Sequence, residues 1–148
     1  MNVEERIKTN EPLPLKQKSI IHLMLINNDI NERINHALKA FGVSLQQFNV
    51  MRILRGRKGV PANLSTLNER MVTKMSNTTR LVDKLISKGF VKRIICPTNR
   101  RKIEISITSK GKKILEEMDV VMHSVEDDLL KNFSKKDLEA LNQLLNKF

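Results

Sequence analysis

Two sets of side chains in this sequence are suited to holding a polyanion. In TKMSNTTRLVDKL, Thr73 to Leu85, the residues Lys74, Ser76, Asn77, Arg80 and Lys84 share one face when the segment is helical, while Met75, Thr78, Leu81, Val82 and Leu85 share the other. Arginine presents a fork of donors, Ser and Asn offer donors and acceptors together, and lysine supplies a mobile point charge. In VKRIICPTNRRKIEIS, Val91 to Ser106, two short isoleucine-rich runs flank a tip that places Arg100 and Arg101 side by side. Like charges at the exposed end of a hairpin repel each other and give a core nothing. The neighbour they require is an anion outside the fold.

Other chemistries find no support. An enzyme needs a nucleophile with its base, a phosphate-binding loop or a paired-carboxylate site, and no such motif is present. His22, His36 and His123 are too far apart in sequence to form a metal-ligand spacing, and no cofactor is expected. The lone Cys96, at the end of the first isoleucine run, reads as a small apolar filler, since nothing nearby defines a paired thiol. A single cysteine also excludes an internal disulfide framework, which fits a reducing cytoplasm. No run reaches the apolar length needed to cross a bilayer, and the start MNVEERIKTNEP lacks the apolar stretch of a signal peptide, so no membrane partner is expected.

The charge distribution shows which part of the chain meets the anion. The 148 residues carry a formal net charge of +11, with 40% hydrophobic and 29% charged residues, as in an ordinary soluble domain. Met1 to Met51 has a net charge of +1, Arg52 to Lys113 of +14, and Ile114 to Phe148 of −4. The middle segment, with 17 basic residues against three acids (Glu69, Asp83 and Glu104), therefore carries the whole excess. Such a partition marks a binding region rather than a generally basic surface.

The elements that position these residues follow from periodicity. From Ser19 to Phe41, the residues Leu23, Ile26, Ile30, Ile34, Ala37 and Phe41 form one helical stripe, with Gly42 as its C-terminal stop. Pro12 and Pro14 are expected to keep the preceding dozen residues extended. Ser44 to Gln47 fits a capping box that opens a short helix carrying Leu45, Phe48, Met51 and Leu54. Leu64 to Met71 reads as a second short helix, and Thr73 as the N-cap of a third that ends at Gly89. Ile103, Ile105 and Ile107 alternate with Lys102, Glu104 and Ser106, the period of a half-buried strand. Ile114, Met118, Val121, Val125 and Leu129 form another stripe, on a helix from about Ser109 to Asn132 that would be ~35 Å long. A last helix starts near Ser134 to Asp137 and carries Leu138, Leu141, Leu145 and Phe148. Terminal stripes this long need covering. They predict a homodimer with Leu23, Ile26, Ile30, Val125, Leu129, Leu138, Leu141, Leu145 and Phe148 in the interface.

The expected fold is mostly α with a small β-hairpin wing: a winged helix-turn-helix, dimeric through its N- and C-terminal helices. A helix fits the major groove of duplex DNA, where Ser, Asn and Arg can read base edges while Lys74 and Lys84 neutralise phosphates. An arginine at the hairpin tip then reaches the neighbouring minor groove, where negative potential is concentrated. That accounts for Arg100 and Arg101. The competing reading is a winged-helix module that binds another protein or RNA. With five Phe and no Trp or Tyr, however, the chain is poorly supplied for stacking unpaired bases.

The segments SNTTRLVDKLISKGFVKR and NRRKIEISITSKGKKIL resemble the core of MarR (multiple antibiotic resistance regulator) family transcription factors. The matching positions are Ser76, Thr79 to Asp83 and Leu85, then Lys88 to Val91 with Arg93, then Asn99 to Arg101, and finally Ile107, Thr108 and Gly111. The resemblance implies a homodimer of two winged lobes that regulates genes, as a repressor or activator, from a near-palindromic operator. It also implies a small, often aromatic or anionic, effector near the junction of the dimer helices with the DNA-binding lobe; His22 and His36 are candidate pocket residues. The DNA-contacting set is then Lys74, Ser76, Asn77, Thr79, Arg80 and Lys84 on the recognition helix, with Arg93, Thr98, Asn99, Arg100, Arg101 and Lys102 on the wing. The chain divides into an N-terminal arm and dimerisation helix (1–43), a DNA-binding lobe (44–108) and C-terminal dimerisation helices (109–148), within a single domain over 1–148. Three residues depart from the family pattern. Asn99 stands where an Asp usually pairs with an arginine to brace the wing, Asn68 replaces a small apolar residue, and Val72 replaces a glycine in the turn.

Overall fold

Helix α1 (Val3–Arg6) and helix α2 (Leu15–Lys39) begin the chain in a computed structural model that describes residues 2–72, 78–95 and 103–148. The first of these replaces the extended arm expected from Pro12 and Pro14. Those prolines restrict only themselves and the residues before them. Upstream, the Asn2 side chain accepts a hydrogen bond from the Glu5 amide, and Glu4 and Glu5 suit the positive end of a helix. Val3 is buried and Lys18 Nζ lies 2.9 Å from Glu4 Oε2, so this turn is docked on α2. Helix α2 itself starts four residues before Ser19, directly after Pro14, whose φ of −55° leads into a helix.

Helices α3 (Leu45–Gly56), α4 (Leu64–Arg70) and α5 (Thr78–Ser87) follow, then strands β1 (Val91–Ile95) and β2 (Ile103–Ile107). The capping box expected at the start of α3 is complete: the Ser44 hydroxyl accepts from the Gln47 amide, and the Gln47 side chain accepts from the Ser44 amide. Asn63 caps α4 in a similar way by accepting from the Thr66 amide. Gly42 and Gly89 have φ of +60° and +72°, which stops α2 and turns the chain from α5 into β1. The proposed N-cap Thr73 and Cys96 lie outside the described residues.

The two strands pair antiparallel, from Val91 opposite Ile107 to Ile95 opposite Ile103. Ala62, just before α4, adds a bridge on the far side of β2, exchanging both backbone hydrogen bonds with Ile105 at 2.9 and 2.7 Å. Ile105 is thus held from both sides and fully buried, and Ile107 packs partly against the core. Ile103, expected to face inward with them, remains 38% exposed, because the hairpin there has passed the edge of the lobe. Phe48, Met51, Leu54, Leu67, Val82 and Leu85 join Ile105 in a core that ties α3, α4 and α5 to the hairpin.

Helix α6 (Ser109–Leu130) runs out of this lobe beside α2, and α7 (Lys135–Leu145) follows, opened by a Ser134–Asp137 capping box. The buried line on α6 is Gly111, Leu115, Met118 and Met122. Of the expected stripe, only Met118 belongs to it, and Val121, Val125 and Leu129 are half-buried beside it. Two ion pairs fix α6 to the rest: Arg55 of α3 with Asp119, and Arg33 of α2 with Asp128. At the entry to α6, the Thr108 hydroxyl donates to Gly89 O (2.7 Å) and accepts from the Gly111 amide (2.9 Å). That one side chain joins the end of α5, the end of β2 and the start of α6.

Candidate nucleic-acid interface

Helix α5 has two distinct faces. Thr78, Val82 and Leu85 are buried against the lobe, while Thr79, Arg80, Asp83 and Lys84 are exposed. The division follows from a helical period with apolar side chains on one side only. Arg80 and Lys84, one turn apart, therefore present their charges together to the outside. Lys74, Ser76 and Asn77 precede the described part of this helix, and Thr98, Asn99, Arg100, Arg101 and Lys102 fall between the strands; all eight lie outside the described residues.

Arg93, expected to contact DNA from the wing, is engaged within the protein. Its Nη2 donates to Asp83 Oδ1 at 2.7 Å, linking β1 to the exposed face of α5. This contact escaped the sequence reading. The pattern of strand and helix places Arg93 and Asp83 near the same turn, but nothing in their spacing requires them to meet. Lys110, whose Nζ donates to Lys88 O at 3.0 Å and lies 5.4 Å from the centre of the Phe90 ring, helps to close the end of α5.

The proposed interface residues are distributed along α2, α6 and α7. Leu23 and Ile26 are exposed, Ile30, Val125, Leu129 and Leu138 are half-buried, and Leu141, Leu145 and Phe148 are exposed. Helix α7 buries none of its residues. Two cavities adjoin these helices. One, of about 570 Å³, lies between α2 and α6 and is lined by Asp29, Arg33, His36, Val125 and Asp128 among others. The second, of about 420 Å³, lies where α2 and α6 meet the lobe and includes Asn27, Asn31, Phe48, Arg52, Met122 and Glu126. His36 thus lines the first cavity, whereas His22 lines neither. Arg33 reaches both Asp29 and Asp128, and its guanidinium is held above its usual pKa, first by the Asp29 hydrogen bond and charge, then by Asp128. Asp128 is shifted below the usual carboxylate range, first by Lys131 and then by Arg33.

Helices α3, α4 and α5 with the β1–β2 hairpin form a winged helix-turn-helix, set beside long helices contributed by both ends of the chain. The MarR family model matches residues 43–103, which contain this lobe up to the start of β2. The chain is similar to that family over this lobe. It is 26% identical over 140 residues to the multiple antibiotic resistance protein MarR of Escherichia coli, covering 93% of this chain and 92% of that protein. The transcriptional repressor MprA of Escherichia coli is 24% identical over 143 residues, covering 96% of this chain and 81% of that protein. Among solved structures, a mutant MarR of Escherichia coli complexed with operator DNA superposes with a TM-score of 0.76 at 22% identity, covering 99% of this chain and 98% of that one.

Proposed function

We propose that this protein is a sequence-specific transcriptional regulator, a repressor in the first instance, that binds near-palindromic duplex DNA as a homodimer. The observation that carries this reading is the exposed, basic face of α5, with Arg80 and Lys84, on a lobe whose segment holds a net charge of +14. The match to the MarR family model and the names of the similar proteins point the same way. Arg80 reads a base edge in the major groove, Lys84 neutralises a phosphate, and the arginines of the hairpin tip enter the minor groove. A second copy of the chain covers the exposed apolar residues of α2 and α7 and sets the spacing of two half-sites.

Release by a small aromatic or anionic effector fits the cleft at the junction of α2 and α6 with the lobe. Its volume of about 420 Å³ suits a small ligand. Arg52, whose guanidinium lies 5.6 Å from the centre of the Phe48 ring, supplies a cation beside an aromatic surface there.

Selection of bound duplexes from a random library with the purified protein tests the main reading. A near-palindrome with half-sites about 10 bp apart is expected. Recovery of single, unpaired half-sites would contradict the dimeric geometry, and equal retention of single strands and duplexes would contradict DNA regulation altogether.

A further inference from the structure

The basic segment from Arg52 to Lys113 contains only three acidic residues, and two of them are placed unremarkably. Glu69 accepts from the Ser65 hydroxyl on its own helix, and Glu104 sits in the hairpin opposite Ile94. Asp83 is different. It lies on the exposed face of α5, next to Lys84 and one turn after Arg80, where an uncompensated carboxylate would repel phosphates. Its Oδ1 instead accepts from Arg93 Nη2 at 2.7 Å.

That contact crosses a joint. Helix α5 ends at Ser87 and β1 begins at Val91, with Gly89 at φ +72° between them. A helix and a strand joined by so short a turn can change their mutual angle by rotation at the turn, and a contact between Asp83 and Arg93 opposes that rotation. Arg93 itself is well anchored, because its partner across the ladder is the fully buried Ile105. The sequence between the strands, Cys96 to Lys102, holds no acidic residue, so a charged brace for the hairpin has to come from outside it. The two side chains are 53% and 37% exposed, and an ion pair that open contributes little to folding. Its effect is on geometry.

We propose that Asp83 and Arg93 are positioning residues: their ion pair sets the angle between the hairpin and the recognition helix, and so the register of major-groove and minor-groove contacts. The proposal rests on the DNA-binding reading above. It assigns Arg93 to the inside of the interface rather than to a phosphate, and it makes specificity depend on an acid in a basic surface.

The two roles for Arg93 predict opposite signs. Affinities of the full-length protein are measured by fluorescence anisotropy on the selected operator and on a random duplex of equal length. If Arg93 only contacts phosphate, Asp83→Asn removes a negative charge and frees the arginine, so both duplexes bind more tightly. If the pair is a brace, Asp83→Asn weakens operator binding about three- to tenfold while the random duplex is bound as well or better. Arg93→Gln then lowers the operator-to-random ratio by a similar factor, and Arg93→Lys keeps most of it. Tighter operator binding by Asp83→Asn with an unchanged ratio, or equal behaviour of Arg93→Gln and Arg93→Lys, overturns the proposal. Failure of the wild-type protein to prefer duplex would overturn the functional reading instead. In that event amide exchange still decides the brace: the ladder amides from Arg93 to Ile105 must exchange faster in Asp83→Asn and Arg93→Gln, and unchanged exchange in both overturns it.

Discussion

Gly111→Ala adds one methyl group at the joint between the winged lobe and α6, and its effect can be worked out from distances. A Cβ at this position would lie 2.0 Å from the Phe90 carbonyl oxygen and 2.9 Å from Ile107 Cγ1. Ordinary C···O contacts fall at about 3.3–3.6 Å, so helix and strand must separate by roughly 1.3 Å. The obstructing atom is backbone and cannot swing aside. The same carbonyl accepts from the Thr108 amide at 3.0 Å and the Thr108 hydroxyl at 3.1 Å. Overpacking of this kind costs about 1–3 kcal/mol, and each hydrogen bond lost adds about 1 kcal/mol. The higher helix propensity of alanine returns at most about 1 kcal/mol. A net loss of about 2–4 kcal/mol is expected, a large part of the ~5–15 kcal/mol that holds a domain together. Urea unfolding followed by circular dichroism measures it. A loss below about 0.5 kcal/mol would show that α6 moves freely against the hairpin, and the account of this joint would be wrong.

Arg80→Ala should relax base preference at one position per half-site, by about 1–3 kcal/mol if the arginine makes a bidentate contact to guanine, whereas Lys84→Ala should weaken all duplexes nearly alike; equal losses on operator and random DNA would refute base reading by Arg80. Deletion of Ser134 to Phe148 removes three lysines against two acids, a small change in charge, yet should leave a monomeric or poorly soluble chain without specific binding. Sedimentation velocity checks it, and an intact dimer would defeat the proposed interface. Asp137 is held below the usual carboxylate range by hydrogen bonds from the Ser134 hydroxyl and amide. Because its folded-state pKa is depressed, this stabilising contribution to α7 is complete above the unfolded value of about 3.9 and is lost as pH falls through the lower, folded value. An acid titration of the backbone shifts near Ser134 should show that step, and Asp137→Asn should abolish it.

What the sequence made legible was mostly local. The box at Ser44 and Gln47 and the helix start at Ser134 to Asp137 could be read because each side chain meets a backbone group three residues away. The stops at Gly42 and Gly89 were legible for the same reason. Helix α1 departs from the extended arm because the prolines do not restrict the residues upstream, where the Asn2 cap has the same three-residue reach. On α6 the residues buried within the chain, Leu115, Met118 and Met122, lie beside the half-buried Val121, Val125 and Leu129, which are as apolar. Hydrophobicity marks both a face turned to the lobe and one available to another chain; periodicity alone does not separate them. Arg55–Asp119 joins residues 64 positions apart, a separation at which no spacing rule applies.

The same distinction governs the interface. Which residues are charged, and which helical face they share, follows from composition and period, so the surface of α5 could be read in advance. The angle at which the hairpin meets that surface depends on contacts between elements: the Thr108 hydroxyl on Gly89 and Phe90, the close approach of Gly111 to Phe90, and Arg93 on Asp83. Charge attracts a duplex wherever it lies on the lobe, and this attraction is nearly independent of sequence. Selection of one site requires the helix and the hairpin to reach two grooves in a fixed relation. An acid that weakens the general attraction can therefore strengthen the discrimination, provided that it holds an arginine in place.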